Sequence, residues 1–204
     1  PLHKSSLLLQ EKVHSQKISQ IDDRIADNKT IYLISPYKTG SRYLAACYDS
    51  SISAHEPMHF TSLRGFNRNF NSFFVRRLNT LNLKLECSGY LSAYVDELAQ
   101  HPIAKDLQYI CVLRNASSWI TSAINSWIVL EKEGYGYNYT NELFWKKIVG
   151  ANLSNFLQQT DLKKETNIER MKEFYLSYLQ SLFKLQNVLF VDIKELDSIL
   201  PKLD

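Results

Sequence analysis

Cysteine is scarce. The 204 residues hold three (Cys47, Cys87 and Cys111), far apart and with no CxxC pair. That excludes a disulfide scaffold or a zinc finger and makes a reducing, cytoplasmic compartment the expectation. Six glycines and five prolines are too few for a low-complexity or collagenous chain. No apolar run approaches the roughly 20 residues that span a bilayer, and the apolar stretch in PLHKSSLLLQEK is too short for a secretory leader. A strong excess of charge is missing too. Lys and Arg number 24 against 21 Asp and Glu, a formal net charge of +3. So even a balance excludes a general binder of nucleic acid, and any anion recognition has to be local.

What is there suits a packed globule: 45% of residues are hydrophobic and 12% aromatic, enough for one domain with a real core. Residues 1–30 are polar, with Ile18, Ile21 and Ile25 at helical spacing, and read as an N-terminal helical extension. Short apolar runs predict strands at 31–34, 52–55, 83–87, 108–113 and 188–191. Between them the patterns predict helices at 42–48, within 60–82, and at 91–100, 116–130, 141–158 and 168–186, with a short helix at the end. Strands alternating with helices predict an α/β fold: a single P-loop-like domain whose central parallel β-sheet has helices on both faces. Ligands of such sheets bind beyond the carboxyl ends of the strands. The turns after Ile34, His55, Cys87 and Leu113 are therefore expected to share one rim.

The first of those turns is ISPYKTGSRYL. Gly40 lets the chain turn closely, so that the amides from Thr39 to Arg42 can face an anion. Lys38 adds a full charge, and Thr39 and Ser41 add hydroxyls. A Walker A loop places its Lys directly after the second Gly; here Lys38 lies two residues before Gly40, and no acid-tipped strand offers to hold magnesium. The plain alternative is an ordinary βα turn that happens to hold a Lys. After the strand QYICVL, Arg114 is followed eight residues later by Ser122. A strand-tip guanidinium and a hydroxyl two turns into the next helix can converge on one phosphate; separately, each is an unremarkable surface residue.

Taken together, these segments resemble the sulfotransferases that use 3′-phosphoadenosine-5′-phosphosulfate (PAPS). Lys38-Thr39-Gly40-Ser41-Arg42-Tyr43-Leu44 looks like their 5′-phosphosulfate loop, in the form closest to the carbohydrate-modifying, heparan-type branch. Arg114 and Ser122 match the 3′-phosphate segment, with Ala116 where Pro is usual and Trp119 where Arg is frequent. The resemblance implies metal-free, in-line transfer of a sulfuryl group from PAPS, with PAP as product, to a hydroxyl or amine of a carbohydrate, lipid or small molecule. It gives Lys38 the bridging and sulfuryl oxygens, Thr39, Gly40, Ser41 and Arg42 the 5′-phosphate, and Arg114 and Ser122 the 3′-phosphate. The acceptor's base is expected just beyond the second strand, in ISAHEPMHF: Glu56 first, His55 second, His59 third.

A third segment, LKLECSGYLS, matches the family at Glu86, Ser88 and Tyr90 but carries Cys87 in place of Lys and Gly89 in place of Pro. Lys84 or an arginine at 64, 68, 76 or 77 is then expected to supply the missing charge. Failing that, the chain is a catalytically silent binding protein that keeps a nucleotide fold; a divergent P-loop kinase is the third reading. Cys87 itself reads as a core residue, not a nucleophile. RGFNRNFNSFFVRR reads as an amphipathic helix with Phe70, Phe73 and Phe74 inward and its arginines outward, or as a surface for an anionic glycan. EGYGYNY reads as a lid or acceptor wall, or equally as a plain connection.

Overall fold

Five short strands, β1 (Ile31–Leu33), β2 (Ser53–His55), β3 (Leu85–Cys87), β4 (Gln108–Leu113) and β5 (Val188–Asp192), pair in the order β2-β3-β1-β4-β5. Every pairing is parallel. The computed structural model describes residues 9, 12–18, 29–104, 107–133 and 138–202. Ile21 and Ile25 of the expected N-terminal helix lie outside the described residues, as do residues 134–137 of EGYGYNY; residues 12–18 are helical and Ile18 is buried.

The pleat sends alternate side chains to two separate cores, which is why β1 and β4 read as nearly continuous apolar runs. Tyr32, Ile34, Tyr109 and Cys111 face the larger core. Most of the helices pack on that side: α2 (His59–Arg68), α3 (Phe70–Leu81), α4 (Val95–Gln100), α5 (Ala116–Lys132), a π-helix (Asn141–Val149) and α6 (Asp161–Leu182). Leu33, Leu85, Cys87, Ile110 and Val112 face the smaller core, closed by α1 (Ser41–Ala46) and the 3-10 turns of Ile193–Lys202. The molecule is thus an α/β domain with a parallel sheet covered on both faces. Among the described residues no helix is long and apolar enough to cross a membrane.

Register sets the functional rim. Leu33 lies level with Cys87 on one side and Ile110 on the other, and His55 lies level with Cys87. The loops after β1, β2, β3 and β4 therefore emerge side by side. Three helical stretches differ from the sequence expectation. The one expected at 91–100 opens as a 3-10 helix (Gly89–Tyr94) and is α-helical only from Val95. The stretch 141–158 is a π-helix stopped by the left-handed Gly150 (φ 77°), followed by a single 3-10 turn at Phe156–Gln158. The next helix begins at Asp161, earlier than 168, and ends at Leu182; its first two turns are mostly exposed and polar, so the apolar pattern gave no sign of them.

Candidate functional site

The chain leaves β1 toward β2 on one side and leaves β4 toward β5 on the other, while β1 and β4 pair directly. Their tips form the switch point of the sheet, where parallel α/β folds open a crevice. A cavity of about 690 Å³ lies there. The β1 loop and α1 line it with Tyr37, Lys38, Gly40, Ser41 and Arg42. The tip of β2 adds His55, Glu56 and His59. The β4 tip and α5 add Arg114, Ser122, Ser126 and Trp127, and Thr140 and Trp145 complete the wall. A groove of about 770 Å³ shares Lys38, Arg114 and Ser122 and continues along Ser117, Ser118, Thr121 and Asn125 of α5.

Of the residues singled out in the sequence, Lys38, Gly40, Ser41, Arg42, His55, Glu56, Arg114 and Ser122 all border this cavity. Thr39 does not. Its side chain is buried, and its hydroxyl donates to the Pro36 carbonyl at 2.7 Å, bracing the loop from within. The hydroxyl is therefore corrected from a cleft donor to a loop brace. Lys38 (φ 70°) and Gly40 (φ 89°) both take left-handed backbone. The φ of Gly40 is what calls for glycine; a Cβ there would in addition press on the tip of the Leu196 side chain at 2.6 Å, which would have to shift.

Three ties hold this loop in place. The Arg114 guanidinium donates to the Lys38 carbonyl at 2.7 Å, and the Trp119 indole donates to the Tyr37 carbonyl at 2.7 Å. Gly89 leaves the space that Tyr37 occupies: a Cβ there would sit 2.9 Å from the Tyr37 backbone nitrogen. Trp119 itself stacks on Tyr175 at 4.9 Å, and the Tyr175 hydroxyl donates to the Arg114 carbonyl at 2.5 Å. Asn115 caps α5 by accepting from the Ser118 amide at 3.2 Å, which starts the helix without a proline. Trp119 was visible in the sequence only as a departure from a motif; its load is structural.

Glu56 sits at the end of β2 in left-handed backbone (φ 49°), and its amide continues the sheet to the Cys87 carbonyl at 3.0 Å. Its carboxyl lies 3.7 Å from His55 Nε2 and 3.5 Å from His59 Nδ1. Ser41 Oγ lies 3.2 Å from His55 Nε2, and the Tyr37 hydroxyl lies 2.6 Å from His59 Nε2. Burial, reinforced by Glu56, holds the Tyr37 phenol well above its ordinary value. Tyr37 is therefore the donor to Nε2; assigned from that bond, the other nitrogen carries the proton and turns it toward Glu56.

Burial also sets the charges here. It pushes the Glu56 carboxyl up to about 8, against the pull of Arg42 and Lys38. It presses His55 down to about 4, with Arg42 and Lys38 adding to the effect. His59 falls to about 3 through burial, then His55 and Arg77. Both imidazoles are neutral at neutral pH, and Glu56 exchanges its proton close to it. That suits a general base.

Behind Glu56 lies a network the sequence did not announce. Arg77, expected to point outward with the other arginines of its helix, is wholly buried at 0% exposure. It grips Glu86 with two bonds of 2.6 and 2.9 Å, donates to Ser62 Oγ at 2.7 Å and to the Tyr90 hydroxyl at 2.5 Å, and reaches the Pro57 carbonyl at 3.0 Å. Ser88 donates to Glu86 at 2.5 Å. Glu86, Ser88 and Tyr90 thus brace the Pro57 turn that carries Glu56. Buried Glu86 demands a cation, and the α3 arginine on the inward face supplies it. Phe70 and Phe74 are buried and Phe73 half-buried on that helix, while Arg64 and Arg68 are exposed.

Cys87 points into the smaller core, with its thiol raised by burial. Lys84 lies before β3, where its carbonyl accepts from the Ile31 amide, at the opposite rim. Neither Lys84 nor any of Arg64, Arg68, Arg76 and Arg77 lines the cavity; its cations among the described residues are Lys38, Arg42 and Arg114. No family model, curated protein or solved structure matches this chain.

Proposed function

We propose that this chain is a PAPS-dependent sulfotransferase, moving a sulfuryl group to a hydroxyl or amine of a carbohydrate, lipid or small-molecule acceptor. One observation carries the reading: a single cavity at the β1/β4 switch point is lined by Lys38, Arg42 and Arg114 and also by a carboxyl that titrates near neutrality. Cations beside a general base are what transfer of an anionic group to a hydroxyl requires. The nucleotide would supply the activated sulfuryl group. Lys38, with Gly40, Ser41 and Arg42, holds the phosphosulfate end; Arg114 and Ser122 hold the 3′-phosphate, and the α5 groove continues from them. Glu56, once ionised, takes the acceptor proton as the new S–O bond forms and the bond to the phosphate breaks. Three free thiols, two of them buried, fit a cytoplasmic setting.

Calorimetry tests this directly. PAP is expected to bind more tightly than ATP, and Arg114→Ala to weaken PAP roughly 10- to 100-fold, the worth of a charge-assisted contact to phosphate. If PAP binds no better than ATP, the reading is wrong and a phosphotransferase takes its place. Cys87 supports a second reading. At that place the resemblance expects a cation, and the buried thiol leaves the cavity with three. A silent nucleotide-binding protein would bind PAP and move no labelled sulfate to any acceptor.

A further inference from the structure

The cleft wall at Thr140 and Trp145 has a composition unlike the phosphate side. Thr140 is 6% exposed and borders the cavity, yet among the described residues its hydroxyl has no hydrogen-bond partner. A buried hydroxyl left unpaired is costly, so such an orphan beside a cavity points to a ligand group that completes it. Trp145, five residues on, borders the same cavity. In an α-helix two residues so spaced would stand about 140° apart. Here Thr140 is the N-cap of the π-helix Asn141–Val149, whose wider turn brings residues five apart nearer to one face than an α-helix does.

This wall is held rigid and joined to the base. Buried Asn141 accepts from the Leu153 amide at 3.1 Å and donates to Ser154 at 2.8 Å. Asn167 of α6 accepts from the Asn152 amide at 2.8 Å, fixing the same loop. Trp145 lies 6.0 Å from the Tyr37 ring, centroid to centroid, and Tyr37 contacts His59, which faces Glu56. Among the described residues this side of the cavity carries no cation, and an ionised Glu56 would repel an acidic acceptor.

Resting on the sulfotransferase reading, we propose that Thr140 and Trp145 form the acceptor subsite. It takes an uncharged ring bearing a hydroxyl, a phenol or a neutral sugar, in preference to an anionic glycan. The ring packs on Trp145 and Tyr37, Thr140 bonds a polar group of the acceptor, and the reacting hydroxyl is directed at Glu56.

The test supplies the full chain with labelled PAPS and three acceptors: 2-naphthol, octyl glucoside and a glucuronate-containing glycan. One of the two neutral compounds is expected to exceed the glycan by about tenfold or more in kcat/KM, and which one does so separates phenol from sugar. Thr140→Val raises the KM of that acceptor about tenfold, with PAP affinity unchanged, and Thr140→Ser restores it. The inference is overturned if the glycan is preferred or alone is sulfated, or if Thr140→Val leaves the acceptor KM where it was. PAP binding with none of the three compounds sulfated removes the sulfotransferase reading, and this inference with it, in favour of a silent binding protein. Failure of PAP to bind is a separate outcome, which removes the sulfotransferase reading and this one with it.

Discussion

Glu56→Gln is expected to lower sulfuryl transfer by roughly 10²- to 10⁴-fold, the contribution of a positioned general base, with PAP affinity little changed. Glutamine keeps the shape and the turn but cannot take a proton. The wild-type pH profile supplies the second signature. Burial holds the Glu56 carboxyl up at about 8, so the working, ionised form is the minority at neutral pH. Transfer measured as kcat/KM for PAPS, which reports the nucleotide-free protein, then rises about tenfold per pH unit below that value and levels off above it. The histidines cannot produce this profile, since their transitions lie at about 4 and about 3. In Glu56→Gln the residual rate loses the slope. Full activity in that variant, with PAP still bound, would transfer the role to His55.

The second large effect is on stability. Arg77→Leu leaves Glu86 charged, buried and without its cation, and breaks the hold on the Pro57 carbonyl. Removing one partner of a buried ion pair costs about 3–5 kcal/mol, whereas replacing both partners by apolar groups is far milder. Urea unfolding should show the midpoint of Arg77→Leu falling steeply, and the Arg77→Leu/Glu86→Leu double variant recovering much of the loss. A single-variant loss below about 1 kcal/mol would mean that the network is solvated in solution, in conflict with burial of both side chains. Catalysis should suffer as well in the double variant, because the turn that presents Glu56 has lost its brace.

How far these features could be read from the sequence followed from whether local pattern or long-range pairing decides them. β1, β4 and β5 were legible because each is a largely apolar run, QYICVL most clearly, while β2 (SAH) and β3 (LEC) are short and mixed and were marked by the turns that follow them. The tight turn after β1 was legible because a Gly that must be left-handed and a Lys close by leave a local mark. Arg77 was not. Buried Phe74 and Leu78 put it on the inward face of α3, but an arginine there reads as outward until its partner is known; its place is set by Glu86, which arrives from another strand. Thr140 and Trp145 were hidden for a related reason. At α-helical spacing they belong to different faces, and only the wide turn, stopped at Gly150 and held by asparagines from two other segments, brings them together. Thr39 misled because a hydroxyl in an anion loop serves equally well turned inward.

The proximity of Lys38 and Arg42 to Glu56 has a further consequence. Both cations draw the carboxyl down from where burial alone would hold it. An anionic nucleotide that occupies them cancels that pull, so the carboxyl gains proton affinity as the complex forms. Association near pH 8, where the carboxyl is half protonated beforehand, should then draw up to about half a proton from the medium. Titrations in Tris and in triethanolamine should give different heats in proportion to the buffers' ionisation enthalpies, and that difference should vanish in Glu56→Gln.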